Sequence, residues 1–158
     1  NDGTVLDQSL DIMHWAINST YPSASDPNNW MAAEMPMIGR RLIEANDTEF
    51  KRALDAYKYE KPGDTKSLSD YRTDAEWFLV GLEDRLEYNR FLMADRISLV
   101  DIAIFPFIRQ FAGVDPNWFD QSPYAKLRGW LAHLLQSDLF LGSMIKHPVW
   151  RSDESIRN

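Results

Sequence analysis

The sequence contains no cysteine, which excludes disulfides, zinc thiolate centres and a thiol nucleophile within the chain. Long apolar runs are missing too. Charged residues break every hydrophobic stretch before the roughly 18 residues a membrane-crossing helix requires, so no such helix is expected. Positive charge is in deficit: 17 Lys and Arg stand against 24 Asp and Glu, for a net charge of -7. Such a surface repels phosphate backbones and argues against a nucleic-acid partner. Histidine is sparse. His14, His133 and His147 are far apart and not at the i, i+4 spacing of a helical metal site, so no metal is expected. Neither a signal peptide nor a methionine opens the chain, and the expectation is a cytoplasmic protein from which something upstream has been removed.

What is present is globular composition, 44% hydrophobic, 13% aromatic and 26% charged over 158 residues. That length suits one domain burying roughly 70% of its unfolded surface. Residues 97–111, ISLVDIAIFPFIRQF, are the most informative stretch. Ser98 and Asp101 stand at the spacing of a capping box, with Asp in place of the usual Glu or Gln, and Ile97 and Ile102 stand where a hydrophobic staple needs apolar side chains. The seven residues after Asp101 are Ile, Ala, Ile, Phe, Pro, Phe and Ile. A helix apolar on every side must be enclosed by others, so this one is expected at the centre of an all-α bundle, kinked by Pro106 about two turns in. Ser98 and Asp101 are read as structural residues.

Helical spacing continues on either side. Leu10, Met13 and Ile17 define a face over residues 9–19, and Asp26-Pro27 opens a helix that runs toward Ala45. Asp47 is read as the cap of another helix carrying Phe50, Leu54 and Tyr57. From Leu68 to Leu86 one apolar stripe predicts the clearest amphipathic helix, expected to pack on the buried one. Residues 115–123 read as a loop with one helical turn, followed by helices over residues 124–136 and around Phe140 and Met144. Asn1-Asp2-Gly3 before Thr4-Val5-Leu6 reads as a hairpin turn entering its second strand, with the first strand absent. The expected layout is a remnant of an upstream domain over residues 1–21, a linker over 22–29, a helical domain over 30–150 and a mobile tail over 151–158.

The helix opened by Ser98-x-x-Asp101, the run SLVDIAIFPFIRQFAGVDPNWF, then Pro123-Tyr124-Ala125-Lys126-Leu127, Trp130-Leu131, Phe140 and Met144 resemble the C-terminal helical domain of cytosolic glutathione transferases, bacterial ones in particular. DTEFKRALDAYKY is similar to the helix after that family's domain linker, and Asp2 to Ser9 to the last hairpin of its thioredoxin-like domain. The resemblance implies an all-α bundle with a thioredoxin-like α/β remnant at its start. It also implies glutathione as co-substrate, a small electrophile as second substrate, and a homodimer.

By the same resemblance Gln8 and Ser9 would hold the γ-glutamyl end of glutathione. A helix N-terminus suits that carboxylate, because its free N–H groups and dipole favour an anion. Tyr57, Phe105 and Phe107 are candidates for an apolar electrophile pocket, with core packing the favoured reading for any single one of them. Arg109 reads either as an ion-pair partner or as a group at the pocket mouth. The family's activating Tyr, Ser or Cys is matched by no residue here, so the chain alone is expected to be inactive. The rival reading is a non-catalytic docking module of the same fold.

Overall fold

The computed structural model describes residues 5–20, 30, 37–59 and 65–149. The Asp2-Gly3 turn, the Asp26-Pro27 cap with its linker, Pro36, the Pro62-Gly63 loop and the tail from Arg151 lie outside them. Among the described residues every regular element is a helix. Val5 and Leu6 are not in a strand, because no second strand among the described residues pairs with them. Helix α1, Ser9–Thr20, follows directly, with Leu10 and Met13 packed against the core and Trp15 exposed.

Helix α2, Met37–Ala45, runs through a π-helical turn, Asn46–Phe50, into α3, Lys51–Lys58. Asp47 therefore caps nothing. A cap residue must leave helical geometry, whereas Ala45 (φ -61°, ψ -39°) and Phe50 (φ -65°, ψ -44°) are both helical, and the Asp47 carboxylate accepts from Asn46 Nδ2 at 2.9 Å. The wide turn inserts a residue without breaking the helix and so re-aims the face that follows. Phe50, Leu54 and Tyr57 are thereby all buried.

Helix α4, Leu68–Leu86, opens with a second Ser-x-x-Asp box. The Ser67 N–H donates to Asp70 Oδ2 at 2.9 Å and the Asp70 N–H donates to Ser67 Oγ at 3.3 Å. The expected stripe is on the inside, with Ala75, Phe78, Leu79, Leu82 and Leu86 buried. Its main neighbours are α3 and α7, Ala125–Leu135, and Phe50 stands between it and the central helix. Phe50 fills the gap: its ring stacks on Phe78 at 4.5 Å between centroids and meets Phe111 at 5.9 Å.

Helix α5, Leu99–Val114, is the centre of the bundle, touching α2, α3, α7 and the short α6, Pro116–Gln121. Val100, Ile104, Ile108 and Phe111 are fully buried, each contributing about 1.5–3 kcal/mol through loss of contact with water. Pro106 sits inside the helix and withholds the N–H that the Ile102 carbonyl would accept. Asp115 caps α6 by accepting the Trp118 N–H at 3.1 Å, with Pro116 at the first helical position, so the expected single turn is a capped helix. The last element is α8, Asp138–Ser143, whose cap Ser137 accepts the Phe140 N–H at 3.2 Å.

Candidate functional site

Three places in this bundle bear on function. The first is the start of α1. Gln8 and Ser9 are both exposed, and the Gln8 carbonyl accepts the Ile12 N–H at 3.0 Å, which makes Gln8 the residue from which the helix departs. The N–H groups of Ser9, Leu10 and Asp11 belong to the first turn, where a helix offers no internal acceptor, so they point outward with the positive end of the dipole. Asp11 sets a carboxylate in the same turn.

The second is a groove of about 370 Å³ bounded by α5, the end of α7 and α8. One face of α5 lines it, Ile102, Phe105, Pro106 and Arg109, and across it stand Leu134, Leu139 and Met144. Phe105 meets Phe140 edge-on at 5.2 Å and Trp130 at 6.3 Å, so an aromatic wall backs the apolar floor. The Arg109 guanidinium lies 5.2 Å from the centre of the Phe140 ring and makes no ion pair among the described residues. Ser137 and Ser143 also line the groove, but their hydroxyls are spent on the Leu134 and Phe140 carbonyls.

The third is a polar knot where α3, α4, α6 and the start of α7 meet. The Arg72 guanidinium lies 4.3 Å from the Trp118 ring centre, with Glu76 Oε1 at 3.6 Å from its Nε and Asp115 Oδ2 at 3.8 Å from its NH1 nitrogen. Tyr124 donates from its hydroxyl to Glu76 Oε2 at 2.8 Å. Burial, then this bond to a carboxylate, drives the Tyr124 hydroxyl far above its ordinary titration range. Tyr57 is fully buried against Phe111, 5.1 Å between centroids, and its hydroxyl has no hydrogen-bond partner. Burial pushes the Tyr57 hydroxyl up, against the opposing pull of Arg72.

The candidate pocket residues are thus dispersed. Phe105 lines the groove, Tyr57 lies in the core beside the polar knot, and Phe107 is half-buried without reaching the groove. Gln8 and Ser9 do not line it either. Sequence reasoning left out most of the groove, although Ile102, Phe105, Pro106 and Arg109 follow the i, i+3, i+4, i+7 spacing of a single helix face, and a lone cation ending such a ridge is a legible signal. Ser98 and Asp101 form the expected capping box beneath it. No group of three or more His, Asp or Glu among the described residues is placed to hold a metal, and no described helix is long and apolar enough to cross a membrane.

Residues 67–133, which run from the cap of α4 through most of α7, match the family model described as glutathione S-transferase, C-terminal domain. Over these residues the chain is similar to a glutathione S-transferase C-terminal domain. Among solved structures the chain is similar to the class Gtt2 glutathione S-transferase of Vibrio parahaemolyticus, with a TM-score of 0.68 at 17% identity, covering 90% of this chain and 69% of that one. At that identity the likeness speaks for the fold. No curated protein matches the chain. In this bundle the Ser98-Asp101 box starts the central helix, and α7 packs on it.

Proposed function

We infer that this chain is the helical part of a cytoplasmic glutathione S-transferase that binds glutathione and passes its sulfur to an electrophile or a disulfide. The observation that carries this reading is the family match over residues 67–133. In such a protein the glutathione thiolate attacks an electrophilic carbon or sulfur, a bond to sulfur forms, and the leaving group departs with the electron pair. The chain's own contribution is to bind and orient. The Ser9 hydroxyl and the first-turn N–H groups of α1 would meet the γ-glutamyl carboxylate, with Gln8 beside them. The apolar surface around Phe105, with Tyr57 and Phe107 as further candidates, would receive the electrophile. Lowering the thiol pKa is assigned to no residue of this chain. Ile38, Trp77 and Val80 on α2 and α4 are about half exposed, and we place the interface of a homodimer on that face.

Immobilised glutathione tests the site. Gln8→Ala should weaken retention of the full-length protein while shifting the melting temperature by no more than about 5 °C, since an exposed side chain at a helix start carries little stability. Unchanged retention, or a large drop in melting temperature, would remove Gln8 from the ligand site.

A further inference from the structure

We propose that a second groove, where the end of α5 meets α6 and α7, is a binding site for an apolar α-amino acid in its zwitterionic form, with its carboxylate on Arg128 and its ammonium on Asp120. The arrangement of charge argues for this occupant. Asp120 of α6 and Arg128 of α7 both line the groove, and the Arg128 guanidinium donates to the backbone carbonyl of Asp120. That bond holds the cation beside the residue whose carboxylate would be its natural partner, yet no ion pair joins the two side chains among the described residues. The Arg128 Nε is buried without a hydrogen-bond partner, and Asp120 is exposed. A plain carboxylate would gain Arg128 but stand against Asp120, and a plain amine would do the reverse. A zwitterion answers both charges at once, through hydrogen bonds of the stronger, charge-assisted kind.

Shape and chemistry of the walls complete the case. A volume of about 410 Å³ lies within the range of small-molecule sites. Pro116, Phe119, Leu131 and Leu135 present apolar surface to the side chain of the bound amino acid. Gly113, in the last turn of α5, lines the groove without a side chain of its own. The space above it is open, since a Cβ at that position would meet no atom within 4 Å. Arg109 is the other cation of the lining, but its guanidinium lies over the Phe140 ring at 5.2 Å, which leaves Arg128 to receive the carboxylate. Arg109 is also the one lining residue that this groove shares with the groove between α5 and α8. Gln8, Ser9, Tyr57, Phe105 and Phe107 do not line it, so the site stands independently of the glutathione reading.

Calorimetry on the full-length protein, in the absence of glutathione, tests the site with three probes: L-phenylalanine, N-acetyl-L-phenylalanine, which lacks the ammonium, and phenethylamine, which lacks the carboxylate. Phenylalanine should bind best and each of the others on the order of tenfold more weakly, as expected for the loss of one charge-assisted contact. Asp120→Asn, at an exposed position, should weaken phenylalanine by a similar factor and leave N-acetyl-L-phenylalanine unchanged. Arg128→Gln should weaken both of these and spare phenethylamine. Gly113→Leu, which fills the open space and favours the helix, should weaken all three probes with the helical circular-dichroism signal retained. Equal affinities for the three probes would overturn the proposal in favour of unspecific apolar adsorption, and N-acetyl-L-phenylalanine binding as tightly as phenylalanine would reduce the groove to a simple anion site. No binding of phenylalanine, or a preference for it that survives Asp120→Asn, would overturn it outright. Should Arg128→Gln fail to fold, Asp120→Asn and Gly113→Leu still decide. None of these results bears on Gln8, whose test is retention on glutathione.

Discussion

Asp101 is the residue on which most of the central architecture converges. It is fully buried, and its two oxygens accept four hydrogen bonds. Oδ2 takes the Ser98 N–H at 2.9 Å and the Ser98 hydroxyl at 2.7 Å, and Oδ1 takes the Leu92 N–H at 2.9 Å and the Trp130 indole N–H at 3.0 Å. The carboxylate thus starts α5, pins the loop before it and ties α7 to both. Replacing it orphans two buried donors besides removing the cap, so Asp101→Ala should cost about 3 kcal/mol or more, whereas Ser98→Ala should cost about 1 kcal/mol as an ordinary cap loss. Urea unfolding followed by tryptophan fluorescence measures both, and equal losses would mean that Asp101 is no more than a cap. Only half of this role is legible in the chain. Ser98 lies three residues away and announces itself by spacing, but Leu92 and Trp130 reach the same carboxylate from nine and 29 positions away, and no local pattern marks either as its partner.

Helix starts show the same division at the level of elements. The boxes at Ser67-Asp70 and Ser98-Asp101 and the Asp115-Pro116 pair are written in residues close together in the chain, and each opens a helix. Helix α7 is different. Its entry residue Tyr124 offers no side-chain cap, and the orphan N–H groups of Lys126 and Leu127 donate instead to the two oxygens of Glu83 on α4, at 2.9 Å and 2.7 Å. A carboxylate borrowed from another helix serves both the N–H groups and the dipole of α7. Glu83→Ala should therefore cost about 1–2 kcal/mol, measured by thermal or urea unfolding. Glu87→Ala, which breaks an exposed contact with Lys126 at 3.9 Å, should cost less than about 0.5 kcal/mol. If the two losses are alike, Glu83 is a surface charge and not a cap. Asp47 is the converse case. In sequence it has the look of a helix start, but packing of Phe50, Leu54 and Tyr57 into one core keeps the chain helical straight through it.

At the scale of the whole molecule, the polar knot around Arg72 joins α4, α6 and the entry to α7 by charge and hydrogen bonding, with Tyr57 of α3 buried beside it. Two of the six tyrosines, Tyr57 and Tyr124, are buried beside it and have hydroxyls raised above their ordinary value of 10.0. The sign of the consequence follows from linkage. A raised folded-state value means the fold favours the neutral hydroxyl, so the contribution is complete below about pH 10 and declines as pH climbs above it, where the unfolded tyrosines release protons that the folded ones keep. Stability should therefore fall between about pH 10 and pH 12, with no matching loss between pH 7 and pH 9 from these groups. Denaturation midpoints across that interval read the slope, and absorbance at 295 nm counts the tyrosines that ionise before unfolding. Tyr124→Phe should flatten the alkaline slope, because it removes the group whose hydroxyl is raised most, and Tyr57→Phe should flatten it less. All six tyrosines ionising as one class in the folded protein would show that the knot is open to water, and would undo the assignment of Arg72, Glu76 and Asp115 as the charges that bind the outer helices around α5.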